Sequence, residues 1–252
     1  MIRLPSHPFG VDAFFRRSVV LTFALPQVQL LPRLPAPLEL DGFADQYGFV
    51  AFALVDTTAL RPSGFPDWMG QDFFLAGYRI FVRFRDERGR RLRGLYILES
   101  QTDSWRMTLL GNAMTHYNYR RITVGGEDQE DRQTIFSPSE GFSVTYSSAD
   151  DEAGLPPGSP FSSWKEARRF AGPMPFTFTY LAQQDRVMIV EGVRRDWTPV
   201  PVNIHDWKLP WLDRQGWGDA VLASAFEVTN VPYHWKKGRT ESWRPNEYPG
   251  RG

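Results

Sequence analysis

A mainly β fold follows from three features of this sequence. Its 252 residues include 21 glycines and 20 prolines, about 16% of the chain against a usual share of roughly 12%. Aromatic residues reach 15%, and rings sit well on a pleated surface. In Tyr78 to Arg85, Ile80, Val82 and Phe84 alternate with Arg79, Phe81, Arg83 and Arg85, the two-residue period of a strand. The expectation is roughly ten short strands with one or two short helices, arranged as a barrel or sandwich in one domain over residues 1–252.

The elements follow in order. Val19 to Leu25 is apolar and β-branched, and Pro26 stops it. Leu31 to Leu40 is punctuated by Pro32, Pro35 and Pro37 and should be extended. Gly48 to Val55 is an apolar run of strand length, and Pro62, Gly64 and Pro66 mark a loop. Tyr78 to Arg85 turns through Asp86-Glu87-Arg88-Gly89 into Leu92 to Glu99, the clearest hairpin. Thr115 to Val124 reads as a strand closed by Gly125-Gly126, and Phe142 to Tyr146 as a short one. Ser148 to Pro160 is a polar loop, after which Ser162 or Ser163 can cap a short helix through Phe170. Phe176 to Leu181 and Val187 to Val193 form another strand pair. Ala220 to Val228 fits a strand or a buried helix, since periodicity does not separate them. Residues 238–252 form a polar tail.

Charge and composition exclude several functions. Lys plus Arg and Asp plus Glu are both 29, so the basic excess that phosphate neutralisation demands is missing and no nucleic-acid partner is expected. Cysteine is absent, which removes disulfides, thiolate metal sites and cysteine nucleophiles. The histidines His7, His116, His205 and His234 lack metal-ligand spacing. Phosphate-loop, dinucleotide and serine-elbow motifs are also missing, so no cofactor or metal is expected. Residues 18–31 follow Arg16 and Arg17, but Pro26, Gln27 and Gln29 interrupt them and no cleavage signal follows. No run approaches the ~20 apolar residues of a spanning helix. The expected location is therefore cytoplasmic and off the membrane. The late tryptophans Trp197, Trp207, Trp211 and Trp217 suit core or oligomer packing, which leaves a homo-oligomer open.

A resemblance covers Leu31 to Val124. Its carriers are Leu34-Pro35-Ala36-Pro37-Leu38-Glu39-Leu40-Asp41, the Tyr78 to Arg85 strand, Arg93 to Leu98, and Gly111-Asn112-Ala113-Met114-Thr115-His116-Tyr117-Asn118-Tyr119-Arg120. With these residues the chain resembles the acetoacetate decarboxylase-like superfamily, and most closely an uncharacterised bacterial branch of it. The resemblance implies a β-barrel-like body with a central cavity and a few peripheral helices. It also implies a test of mechanism. Family decarboxylases form an imine on one lysine of a Pro-Lys-Lys motif, the second lysine lowering its pKa. Here Asn118, Tyr119 and Arg120 fall at those positions, and neither Tyr119 nor Arg120 can form an imine. The only lysines are Lys165, Lys208, Lys236 and Lys237, the last two in the hydrophilic tail.

The expected activity is thus binding of a small, anionic and partly apolar ligand, such as a carboxylic acid, without Schiff-base chemistry. The candidate ligand-binding residues are Tyr119, Arg120, His116 and Asn112, followed by Tyr96, Arg79 and Arg83. Tyrosine can donate a hydrogen bond and arginine can hold a carboxylate with two. On the strand pattern, Thr115, Tyr117 and Tyr119 share one face and His116, Asn118 and Arg120 the other. Two alternatives remain open here: an enzyme acting on a keto acid or related carbonyl through Tyr and His acid–base work, and a structural protein whose cavity is packed.

Overall fold

The computed structural model describes residues 7–149, 154–172, 174–194 and 197–243. It is mostly β, as expected, with longer strands than the apolar runs alone indicate. The chain opens with β1 (Val11–Pro26), a short helix α1 (Gln27–Leu30) and a 3-10 turn over Leu31–Arg33. The proline-rich segment is therefore partly helical rather than extended, because Pro32 lies in the first turn of the 3-10 helix, where a missing N–H costs nothing. β2 (Glu39–Leu40), β3 (Tyr47–Pro62), β4 (Gln71–Arg85) and β5 (Arg91–Thr102) follow.

The β4–β5 hairpin turns as predicted. Gly89 takes φ +76°, and the buried Asp86 carboxylate accepts the backbone N–H groups of Arg88 and Arg90. Next come α2 (Trp105–Met114), β6 (Tyr119–Arg121), β7 (Gly125–Gln129), β8 (Arg132–Ser137) and β9 (Phe142–Ser148). Helix α2 was not expected, since Gly111 and Asn112 are poor helix interiors. Ser104 caps it by accepting the Met107 N–H at 3.2 Å. The expected strand from Thr115 to Val124 shortens to three residues because Thr115 ends this helix, with its N–H on the Gly111 carbonyl.

The remainder is α3 (Trp164–Ala171), β10 (Phe176–Leu181), β11 (Arg186–Arg194), β12 (Val200–Lys208), α4 (Pro210–Arg214), β13 (Val221–Trp235) and β14 (Arg239–Ser242). Val221 to Val228 of the expected Ala220 to Val228 element thus belongs to a strand. The start of the expected tail is also a strand, paired with β11. Part of the expected loop at Ser148 to Pro160 lies outside the described residues.

Seven strands close in a ring. The order is β11, β10, β5, β4, β3, β1, β13 and back to β11, which pairs β13 through Gly192, Val193 and Arg194. All contacts in the ring are antiparallel except β5–β10. Strands β7, β8, β9 and β12 continue the sheet from β13 as a separate flap.

Alternation on the ring strands separates two environments. On β3, Val50, Phe52 and Leu54 are buried in the main core. That core also takes Phe142, Val144 and Tyr146 of β9, and Trp211 of α4. Tyr78 stacks between Phe52 (4.5 Å) and Trp211 (3.9 Å) there. The other face of β3 carries Ala51, Ala53, Val55 and Thr57, small side chains that leave space inside the ring. Near β3 and α3 an aromatic cluster packs, with Phe49 stacked on Phe161 at 5.3 Å.

Candidate functional site

A cavity of about 500 Å³ lies against this inner face. Its walls are mainly apolar, from Val55 and Leu75 in the middle of β3 and β4 to Phe226 and Val228 on β13. No aspartate, glutamate or lysine lines it among the described residues, whereas Arg61, Arg79, Arg106 and Arg194 all do. Arg61 is already paired with Asp67.

Arg79 is the central group. It faces Ala51 on β3 and Ile97 on β5 at mid-strand, just after a bulge at Tyr78. Among the described residues it has no ion-pair partner, and the neighbouring titratable groups that act on it are the phenols of Tyr119, Tyr233 and Tyr117. Burial lowers its pKa from the ordinary guanidinium value, opposed by these phenols. It nevertheless stays charged, because guanidinium starts so high. A buried cation without a counter-ion is costly, and a bound anion is the natural compensation.

Tyr119 and Tyr117 complete the polar floor. Burial pushes the Tyr119 phenol up to about 12, with Arg79 pulling the other way, so the hydroxyl is a hydrogen-bond donor at neutral pH. Burial raises Tyr117 further, and its ring meets that of Tyr119 at 6.2 Å. Local sequence holds Tyr119 in place. Asn112 accepts its N–H at 2.7 Å and donates to its carbonyl at 2.9 Å. Asn118 supplies the left-handed residue (φ +51°) that brings the chain back beside β5. Gly111 lets the ring approach, since a Cβ there would lie 2.5 Å from Tyr119 Cδ2.

The profile of the DUF2071 family, described only as uncharacterized conserved proteins, matches residues 13–229. The chain belongs to the DUF2071 family. No curated protein matches it. Solved structures place its fold among the acetoacetate decarboxylase-like proteins. An acetoacetate decarboxylase-like enzyme from Sphingomonas wittichii RW1 is similar at 12% identity and TM-score 0.58, covering 94% of both chains. Acetoacetate decarboxylase from Legionella pneumophila is similar at 12% identity and TM-score 0.60, over 96% of this chain and 90% of its own. A further acetoacetate decarboxylase structure gives 13% and 0.52, over 96% and 92%.

The DUF2071 chain brings some of the sequence-predicted residues together and separates others. Tyr119 and Arg79 line the cavity; Arg120, His116, Asn112, Tyr96 and Arg83 do not. Arg120 follows Tyr119 on a strand and so points the other way, where it pairs with Glu99 at 2.6 Å and Glu140 at 2.8 Å. Asn112 serves the Tyr119 backbone instead of a ligand. Tyr96 lies on the outer face of β5 against the main core, while its neighbours Leu95 and Ile97 face the cavity. Arg83 shares a face with Arg79 but lies farther along β4, where it and Arg93 clamp the buried Asp41 at 2.5 and 2.6 Å. His116 lies in the loop after α2, and its charge acts on His7. All four lysines are exposed at the surface.

Arg194, Tyr233 and His7 are cavity residues that were not among the candidates. Arg194 lies over the rings of Trp197 and Tyr233, each centroid 5.3 Å away. Tyr233 reaches the cavity from β13. His7 precedes any strand signal; its N–H bonds the Met114 carbonyl and its carbonyl accepts from Gly238. Only the closing of the ring brings these segments to one place.

His7 gives a pH prediction. Burial, helped by the charge of His116, lowers its pKa to about 4. The unfolded chain binds the proton first, near pH 6.5, so stability falls as pH drops from 6.5 towards 4. The expected loss is up to about 3 kcal/mol over that window. Denaturant titrations at stepped pH should show this slope in the wild type and a flatter one in His7→Gln. Equal slopes would place His7 in water.

Proposed function

We propose that this DUF2071 protein binds a small organic carboxylate in the ring cavity, without Schiff-base chemistry. The observation that carries the reading is Arg79, a cavity-facing cation with no ion-pair partner among the described residues. Arg79 supplies the counter-charge and two parallel donors, which suit a carboxylate in plane. Tyr119 donates a hydrogen bond beside it, and the Thr57 hydroxyl, buried without a hydrogen-bond partner among the described residues, is also on the wall. The surrounding apolar surface strengthens these contacts by excluding water. Tyr119 stands where the resemblance puts the imine lysine, and it has no amine. A volume of about 500 Å³ is in the range of small-molecule sites and favours a ligand over a packed interior.

The test is a thermal-shift screen against keto, hydroxy and aromatic acids, with Arg79→Met in parallel. An acid at a hundred times its Kd adds about 2.7 kcal/mol, raising the midpoint by about 5–10 °C for a chain of this size. At the same acid concentration the shift should fall by about half or more in Arg79→Met. If no acid moves the wild type, or the variant responds equally, the reading is wrong.

A further inference from the structure

The cavity is far larger than its polar floor requires. An acid the size of acetate takes the room of about three waters, at ~30 Å³ each, and would leave most of the 500 Å³ against apolar walls. Water there would face Val55, Leu75, Phe226 and Val228 with few hydrogen-bond partners.

The entrance is apolar as well. Phe9, Met69 and Leu110 line the cavity and are 39%, 49% and 44% exposed, so they stand where it opens to solvent. These three exposed apolar side chains come from three separate segments and meet at one cavity. Scattered single exposures are ordinary; apolar side chains gathered at one opening mark a binding surface.

We infer that the ligand is an amphipathic monocarboxylate, its head at Arg79 and a medium-length apolar tail running along the inner face to the mouth at Phe9, Met69 and Leu110. This rests on the carboxylate reading above and adds the tail. The mid-strand position of Arg79 and the exposure of the mouth residues fix the direction. The remaining cations at the wall do not require a second anionic end: Arg61 pairs with Asp67, Arg194 donates to the Met174 carbonyl, and Arg106 lies over Trp105.

Calorimetric titration of the whole protein with acetate, butyrate, hexanoate, octanoate and decanoate tests it, with 1-octanol as the headless control and suberate as the two-headed one. Affinity should tighten about fourfold per methylene until the tail fills the cavity. Octanoate should outbind both 1-octanol and suberate. Leu110→Asp, a change at an exposed mouth residue, should weaken octanoate several-fold more than it weakens butyrate. Acids that bind equally at every length would overturn the tail while leaving the carboxylate site intact, and suberate binding more tightly than octanoate would do the same. If no acid binds, or 1-octanol matches octanoate, the carboxylate reading falls as well.

Discussion

Arg79→Met is expected to make the ligand-free protein more stable while weakening its affinity for carboxylates. The guanidinium sits among apolar walls and phenols, without an acidic partner among the described residues. Methionine has similar reach and no charge, so the variant loses a desolvation penalty and keeps the packing. The gain should be about 1–2 kcal/mol, less than a fully buried charge would give because the cavity opens to solvent. Charge-assisted hydrogen bonds of about 1.5–3 kcal/mol are lost to a bound carboxylate, which is about ten- to 150-fold in Kd. Chemical denaturation and calorimetry measure the two effects separately. Opposite signs are the signature of a site kept for binding at a cost in stability. A variant that is less stable without ligand would make Arg79 a structural residue.

Gly94→Val should be the most damaging single change in the ring. Gly94 pairs with Phe176 where β10 runs parallel to β5, the one parallel contact in the circuit. A Cβ at this position would collide with the Phe176 carbonyl oxygen and lie 2.6 Å from the Phe178 ring. A backbone carbonyl in a sheet cannot step aside cheaply, so the two strands must separate. A loss of about 3 kcal/mol is expected, the upper end for overpacking, with a fall in midpoint of about 6–12 °C. Gly126→Val is the control. Gly126 lies in β7 at the end of the sheet, and a Cβ there meets only the Thr134 carbonyl at 3.7 Å. That variant should unfold within about 0.5 kcal/mol of wild type. If the two variants lose the same amount, close approach of β10 to Gly94 is not what closes the ring.

Much of the site was hidden because its residues come from segments far apart. The alternation at Arg79 was plain in Tyr78 to Arg85, but the same pattern offered Arg83 equally. Asp41, just after the two-residue strand β2, decides between them by capturing Arg83 and leaving Arg79 free of ion pairs among the described residues. Tyr119 and Arg120 were both candidates because they are neighbours in a family motif. One step along a strand reverses direction, and Glu99 and Glu140 wait on the far side for Arg120. Asn112 was a candidate through its place in the Gly111 to Arg120 stretch that carries the family resemblance. It is instead committed to the Tyr119 backbone once the sequence from Trp105 folds as a helix.

The sequence by itself determined the local rules: a mainly β chain, the β4–β5 hairpin, a helix cap before Trp164, and the kinship with the decarboxylase-like fold, whose resemblance puts Tyr119 at the imine-lysine position. These are properties of neighbouring residues, set by period, turn chemistry and side-chain type. Tertiary structure decided what no local pattern encodes. It chose which face of each strand is hollow, because small residues at Ala51, Ala53 and Thr57 leave space only once seven strands close around them. It also brought His7, Arg194 and Tyr233 to the same wall as Arg79. The charge of a site depends on which groups the fold places within reach of one another, and here it placed arginines and phenols around the cavity and kept the carboxylates elsewhere.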